Sequence, residues 1–159
     1  MNENTVSRTY ISALRILLGI IFLVTWKENL DQGLYTAVGF RGFMEYLANG
    51  HPLEFYRTFL LNVMAPLAPV FGPFQMIAEL GMGLALLSGT LTRLAGAAAM
   101  FFFANLFLAY LNTSLGEWIW AYVLLIAVAA VVVLGRAGRA WGVDVLLLKW
   151  RGEPRLRVY

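Results

Sequence analysis

The stretch Trp118–Leu134, WIWAYVLLIAVAAVVVL, decides the fold class of this chain, because it contains no charged side chain. A helix needs about 20 mainly apolar residues to cross the roughly 30 Å hydrocarbon core of a bilayer. Extended to residues 117–135, this stretch predicts a membrane-spanning helix. Three more apolar stretches, all earlier in the sequence, predict further spans at residues 10–28, 70–89 and 93–112.

The overall composition agrees with lipid as the solvent. The chain has 159 residues, of which 60% are hydrophobic and 13% charged, against about 45–50% and about 25% in soluble domains. We therefore predict an all-α fold, an integral membrane four-helix bundle formed by residues 1–159 as a single domain. The apolar run from Tyr10 lacks a small-residue cleavage site and continues into Trp26, so we expect a retained first helix rather than a signal peptide.

The long segment between the first two spans is too polar to cross a membrane, yet it has helical periodicity. Apolar residues recur at i, i+3, i+4 and i+7, which predicts amphipathic helices at residues 38–48 and 52–64. Pro66, Pro69 and Pro73 are expected to prevent a continuous helix into the second span. Such helices lie in the membrane interface or pack as a cover on the bundle. A lid over a ligand site is the alternative.

The distribution of basic residues predicts the orientation. Lys and Arg are enriched in cytoplasmic loops. Arg93 lies in the turn between the second and third spans, and Arg136 and Arg139 begin a basic tail at residues 136–159. We therefore expect a multi-pass protein of the cell's inner (plasma) membrane with both termini cytoplasmic. The tail is expected to lie on anionic lipid or to dock on another subunit.

Composition and motifs exclude several kinds of chemistry. The chain has no cysteine and one histidine, His51, so it cannot supply thiolate ligands or a bis-histidine haem site. Nothing resembles a metal-ligand cluster, a phosphate loop or a nucleophile elbow, and no nucleic-acid partner is indicated. The spans carry too few polar residues for a typical channel. We expect no covalently bound or metal-ligated cofactor, although a quinone or a lipid could bind.

Three polar residues within the predicted spans form the candidate site. Ionisable groups in a membrane are costly and often functional. Glu79 is about 13 Å and Arg15 about 7–8 Å from the cytoplasmic ends of their helices, so an ion pair between them is predicted. Arg15 could instead reach the headgroups, and Glu79 could be part of a structural clamp or of a ligand or proton site. Asn105 is at a similar depth and is predicted to bond across helices.

Small and aromatic residues suggest how the helices approach each other. Gly81 and Gly83 in the second span, and residues 95–99 in the third, permit close packing of backbones. Four phenylalanines in the third span could line a quinone or lipid slot, although packing is the more common role: Phe101, Phe102, Phe103 and Phe107.

Three segments resemble the DoxX family. Residues 79–93, ELGMGLALLSGTLTR, resemble its second-span signature. Arg15, Gly19 and Phe22 resemble the start of its first helix, and residues 138–144, GRAWGVD, resemble its ending after the fourth. The family's first helix often ends with Gly and, three residues later, Lys. Here those positions hold Trp26 and Asn29.

The resemblance implies a compact four-helix membrane protein, with some relatives described as subunits of thiosulfate:quinone oxidoreductase. It draws attention to Arg15, Glu79, Arg93 and Asp144 by position only. It favours an accessory or quinone-contacting subunit of a larger membrane redox complex, more a non-catalytic subunit than an independent enzyme. Expected partners are the bilayer and other membrane subunits or further copies of the chain. A proton-coupled transporter centred on Glu79 and an autonomous quinone-linked oxidoreductase are the alternatives.

Overall fold

The computed structural model describes residues 3–111, 115–135 and 142–144, with side chains from residue 9 onward. The described part of the chain is helical and contains no strand. Its helices are α1 (Glu3–Asp31), α2 (Ala37–Ala48), α3 (Glu54–Phe59), which continues into a π-helical turn (Leu60–Met64), α4 (Ala68–Ser88), α5 (Thr92–Ala109) and α6 (Trp120–Leu134). The predicted all-α membrane fold is confirmed.

Three of these helices are long and apolar enough to cross a membrane: Thr9–Asp31, Ala68–Ser88 and Thr92–Ala109. The remaining predicted span, at residues 117–135, corresponds to α6, which is strongly apolar but has only 15 residues. At 1.5 Å per residue it is about 22 Å long. Residue 135 ends the continuous described segment, and the predicted cytoplasmic tail lies outside the described residues except for 142–144.

The bundle consists of two closely packed pairs, α1 with α4 and α5 with α6. Glycines bring the helices of each pair together. A Cβ on Gly19 of α1 would lie 2.7 Å from the backbone nitrogen of Leu87, and one on Gly96 of α5 would lie 2.8 Å from a methyl carbon of Val133. Gly83 also packs closely, whereas Gly81 faces open space. The predicted packing role is therefore wrong for Gly81, which lies on the outer face of α4.

Helices α2 and α3, with the π turn, form a cap at one end of the bundle, which we name the cap side. The opposite end, with the tight turn from α4 to α5, is the turn side. Thr36 begins α2 because its hydroxyl oxygen accepts a hydrogen bond from the Gly39 N–H at 3.0 Å, a standard N-cap contact. The buried residues of the cap form an apolar cluster with the cap-side ends of α4 and α5: Phe40, Met44, Leu47, Ala48, Tyr56, Leu60, Ala65, Ala68 and Ala109.

The prolines interrupt the helices less than predicted. The break falls at residues 65–67, around Pro66, and α4 then contains both Pro69 and Pro73. Pro69 lies in the first turn, where a backbone N–H has no partner within the helix. The expectation that the prolines prevent a continuous helix into the second span holds at Pro66. It is wrong for Pro69 and Pro73, which lie within α4.

Candidate ligand cavity at Glu79

Glu79 is the centre of a buried polar cluster in the cap-side half of the bundle. Its side chain is 1% exposed. The carboxylate accepts hydrogen bonds from the Tyr35 hydroxyl at 2.6 Å and the Asn29 amide at 3.2 Å, both on Oε2. Oε1 accepts one from the Gln75 amide at 2.6 Å. Buried charges need such partners, because an unpaired carboxylate in an apolar medium is very costly.

Each donor comes from a different part of the fold. Asn29 is in the last turns of α1, and Tyr35 is in the loop that leads to α2. Gln75 lies four residues before Glu79 on α4, the spacing at which side chains share a helix face. Burial, and then the hydrogen bond to Glu79, raise the pKa of Tyr35 above its usual range, so its hydroxyl remains a donor at physiological pH. The cluster therefore joins α1, the cap loop and α4.

A cavity of about 220 Å³ lies directly beside this cluster. Its polar lining consists of Thr25, Asn29, Gln32, Gln75 and Glu79. The remaining lining is largely aromatic or aliphatic and comes from the cap and from α5 and α6: Leu34, Phe43, Phe102, Leu106, Tyr110 and Tyr122. Helix α5 and the start of α6 thus face α1 and α4 across the cavity.

Two of the aromatic side chains form a stacked wall. The rings of Tyr110 and Tyr122 lie 5.4 Å apart between centroids and only 9° from parallel. Burial, followed by the nearby charge of Glu117, raises the pKa of Tyr110 to about 12, so its hydroxyl is neutral at physiological pH. The cavity lining thus combines this stacked aromatic pair with the Glu79 cluster.

A second, smaller cavity of about 50 Å³ adjoins the first. The two share Phe43, Gln75, Phe102 and Leu106 in their linings. The smaller one is otherwise lined mainly by apolar residues of the cap. Phe102, one of the four phenylalanines proposed to line a slot, therefore faces both cavities, whereas Phe101 is 79% exposed and Phe103 is in the core.

The predicted Arg15–Glu79 ion pair is wrong. The Arg15 guanidinium lies at the turn side, where it occupies the position that a Cβ on Gly89 would take. Gly89 follows α4 and is ten residues from Glu79, about 15 Å along the helix. Gly19 of α1 packs against Leu87 and Gly83 of α4, and this register puts Arg15 beside the end of α4. Asn29 is therefore the residue of α1 that reaches Glu79.

Asn105, expected at a depth similar to that of Glu79, bonds to the cap instead of to the Glu79 cluster. Asn105 Oδ1 accepts a hydrogen bond from the hydroxyl of Tyr56 in the cap at 3.1 Å. Asn105 therefore lines the smaller cavity and fastens α3 to α5. Asn105 thus makes a hydrogen bond between helices, as expected, and its partner is Tyr56 of the cap.

The turn side contains a separate group of polar residues. Asp144 is fully buried, and its carboxylate accepts hydrogen bonds from the backbone N–H groups of Leu91 at 2.8 Å and Thr92 at 3.0 Å. Arg15, also fully buried, is attracted to the charge of Asp144. Arg93 is the second residue of α5 at this end. Arg136 and Arg139 lie outside the described residues.

Reasoning from sequence missed most of the Glu79 cluster. Gln75 could have been found from its i−4 spacing to Glu79 on a helical face. In the sequence, Asn29 is distinguished only because it stands where the DoxX family often has Lys. Tyr35 gave no local signal, because a loop brings its hydroxyl to the carboxylate from outside the spans.

The fold and this cavity define an all-helical membrane protein with a buried, hydrogen-bonded carboxylate between its helices. The sequence matches the family described as TQO small subunit DoxD over residues 10–156, and the chain belongs to that family. The resemblance to the DoxX family is thus confirmed at the level of a DoxX-like family. No curated protein and no solved structure matches the chain.

Proposed function

We propose that this chain is a quinone-contacting membrane subunit of an oxidoreductase complex, and that the cavity beside Glu79 receives the quinone headgroup. The family is that of a TQO small subunit, which supports a place in a complex of the thiosulfate:quinone oxidoreductase type. The observation that carries the proposal is the cavity itself, which combines a buried carboxylate with an aromatic wall.

The hydrogen bonds leave Glu79 able to bind a ligand. A carboxylate oxygen can accept about two hydrogen bonds. Oε2 already accepts two, from Tyr35 and Asn29, while Oε1 accepts one, from Gln75. Oε1 therefore keeps acceptor capacity for the hydroxyl of a hydroquinone. The ring would pack against the stacked Tyr110 and Tyr122, since offset aromatic contacts add to the gain from burial.

This arrangement assigns limited chemistry to the chain. Reduction of a quinone takes up two electrons and two protons. Glu79 can hold a proton next to the ring oxygen, and the aromatic wall can exclude water from it. The chain has no cysteine and a single histidine, so electron delivery is assigned to another subunit. The lipid-soluble ligand and the subunit role are therefore two parts of one proposal.

Quinone binding can be tested with the purified chain in lipid nanodiscs. A short-chain benzohydroquinone, kept reduced under anaerobic conditions, should change the tryptophan fluorescence saturably as it binds. Glu79→Gln should weaken binding by roughly tenfold or more, because a hydrogen bond to a charged group contributes about 1.5–3 kcal/mol. Glu45→Gln, at an exposed carboxylate on α2, is the matched control and should bind as the parent does.

A second variant keeps the test independent of Glu79's role in folding. Tyr122→Leu removes half of the aromatic wall and should also weaken binding, while the thermal unfolding midpoint is recorded for every variant. Equal hydroquinone affinity in the parent, Glu79→Gln and Tyr122→Leu proteins would show that the ligand binds elsewhere, and the proposal would fail.

The transporter centred on Glu79 remains the second candidate, because the same cavity places a carboxylate within a membrane bundle. It makes a different prediction: reconstituted chain alone should drive solute uptake in response to a pH gradient, and Glu79→Gln should abolish it. The autonomous oxidoreductase requires a bound flavin or haem, which an absorption spectrum of the gently purified protein would reveal.

A further inference from the structure

Helix α3 and the turns that follow it expose a row of large apolar side chains. Phe55 is 68% exposed, Phe59 41%, Val63 40% and Leu67 45%. The four residues are spaced four apart, and we name them the α3 edge. Isolated exposed apolar residues are ordinary on protein surfaces, but a contiguous row marks a surface that something covers.

The α3 edge is one of three distinct faces of this segment. Tyr56 and Leu60 are buried in the cap cluster. Glu54 and Arg57 form an exposed ion pair on the remaining face. At about 100° per residue, Phe55 and Phe59 lie next to the buried face, and Arg57 lies opposite the α3 edge. A wide apolar arc with one polar face is typical of a helix in the plane of a membrane interface.

The depth of α3 is fixed by its contacts with α5. Tyr56 bonds to Asn105, and His51, in the loop before α3, bonds through Nε2 to the carbonyl oxygen of Leu108 at 2.9 Å. Both acceptors lie in the last turns of α5, which is a membrane-spanning helix from Thr92 to Ala109. Helix α3 therefore lies beside the end of a span rather than above it.

Beyond the break at residues 65–67, further exposed apolar residues follow on a membrane-spanning helix. After Leu67, the exposed apolar residues Val70, Phe74 and Ile77 follow on α4 at spacings of three and four. Their exposures are 65%, 63% and 67%. The exposed apolar face of a spanning helix contacts acyl chains, so the α3 edge extends a lipid-facing stripe.

We infer that the acyl chains of the leaflet on the cap side cover the α3 edge, so that α3 and the π turn are embedded in that leaflet. The embedded segment anchors the cap. Tyr56 and Leu60 share the buried cluster with Phe40 and Met44 of α2, and Phe43 of α2 lines the Glu79 cavity. The bilayer thereby holds the roof of the cavity in place. This inference goes beyond the proposed function and does not depend on quinone binding.

The absence of native cysteine permits a direct test with single-cysteine spin labels. Two edge positions are each paired with an exposed polar neighbour one residue away: Phe55→Cys with Glu54→Cys, and Val63→Cys with Asn62→Cys. The purified full-length chain is reconstituted in phosphatidylethanolamine–phosphatidylglycerol vesicles. Power saturation then compares collisions with oxygen, which concentrates in lipid, and with a water-soluble nickel chelate.

We expect the ratio of oxygen to nickel collisions to be several-fold higher at residues 55 and 63 than at residues 54 and 62. Similar, nickel-dominated values in both members of each pair would place the edge in water and overturn the inference. Low collision rates with both reagents at 55 and 63 would show that protein covers the edge, which would also overturn it. Because the labels report on lipid, a failed quinone-binding experiment would leave the result intact.

Discussion

Gly89 is the residue where backbone conformation and a buried charge meet. It follows α4 with a φ of +72°, a left-handed conformation that favours glycine. A Cβ there would overlap Nη1 of Arg15 and lie 2.7 Å from Cα of Gly142. Only glycine satisfies both constraints, so the Arg15 side chain can cross the end of α4.

We therefore expect Gly89→Ala to lower the free energy of unfolding by about 2 kcal/mol or more, since a left-handed alanine alone costs roughly 1–2 kcal/mol. Gly81→Ala is the matched control, because its Cβ would meet nothing within 4 Å. That helix-interior change should be neutral or stabilise by up to about 1 kcal/mol. Thermal unfolding in one detergent would compare them. Equal destabilisation would contradict the packing of Arg15 over Gly89.

Tyr56 should make stability sensitive to alkaline pH. Burial raises the pKa of Tyr56 from 10.0 to about 12. Above pH 10 the unfolded chain loses this proton while the folded chain keeps it. The free energy of unfolding should therefore be unaffected below pH 10 and fall by about 1.4 kcal/mol per pH unit between pH 10 and 12.

The measurement is the unfolding midpoint of the parent and Tyr56→Phe proteins at pH 8, 10 and 11.5, which include the start of the decline at pH 10 and stay below the folded-state pKa of about 12. The variant loses the hydrogen bond to Asn105 at every pH but should show a shallower decline above pH 10. Parallel curves for the two proteins would show that Tyr56 is not the group responsible.

For single residues, the sequence predicts which polar side chains make contacts within the bundle more reliably than it predicts the partners of those side chains. Glu79, Arg15 and Asn105 are all tied into polar contacts, as residues of their type within spans should be. Their partners could not be read from depth along single helices, because the register between α1 and α4 is set by Gly19 and Gly83 packing. That register brings Asn29, rather than Arg15, to the carboxylate.

Among the elements, the short segment at residues 142–144 fastens the turn side. Asp144 accepts hydrogen bonds from two N–H groups at the start of α5, and its own backbone N–H donates to the Gly89 carbonyl oxygen at 2.9 Å. The first N–H groups of a helix lack partners within it. Asp144 therefore acts as an N-cap supplied from a distant part of the chain.

Asp144→Ala should cost about 1–2 kcal/mol of stability for the lost cap, and more to the extent that buried Arg15 loses its attraction to the carboxylate. Asp31→Ala removes the exposed partner of Lys27 and should change stability by less than about 1 kcal/mol. The thermal unfolding midpoints of the two variants and the parent would measure these losses of stability. An Asp144→Ala protein as stable as Asp31→Ala would show that the segment is not fastened by this side chain.

For the whole molecule, the subunit role predicts association. Extraction in a mild detergent should co-purify other membrane chains with the tagged protein. The control is the same preparation after exchange into a harsher detergent, which should release them. A monodisperse species of only 17.7 kDa after gentle extraction would contradict the subunit role.

The class of the molecule was predictable because hydropathy acts over whole helices and tolerates local errors. The cap helices followed from their periodicity as well, with α2 at Ala37–Ala48 against the predicted 38–48. The cavity was not predictable. It arises where α5 and α6 face α1 and α4 on the cap side, a consequence of packing between distant segments that no local pattern records.

The short α6 has a consequence for the surrounding bilayer. Its 15 residues extend about 22 Å, whereas the hydrocarbon core averages about 30 Å. A bilayer relieves such hydrophobic mismatch by thinning locally or by favouring association with another helix. The lipid annulus around this protein should therefore be uneven, thinnest beside α6, and the deformation energy stored there favours burial of that side against another membrane chain.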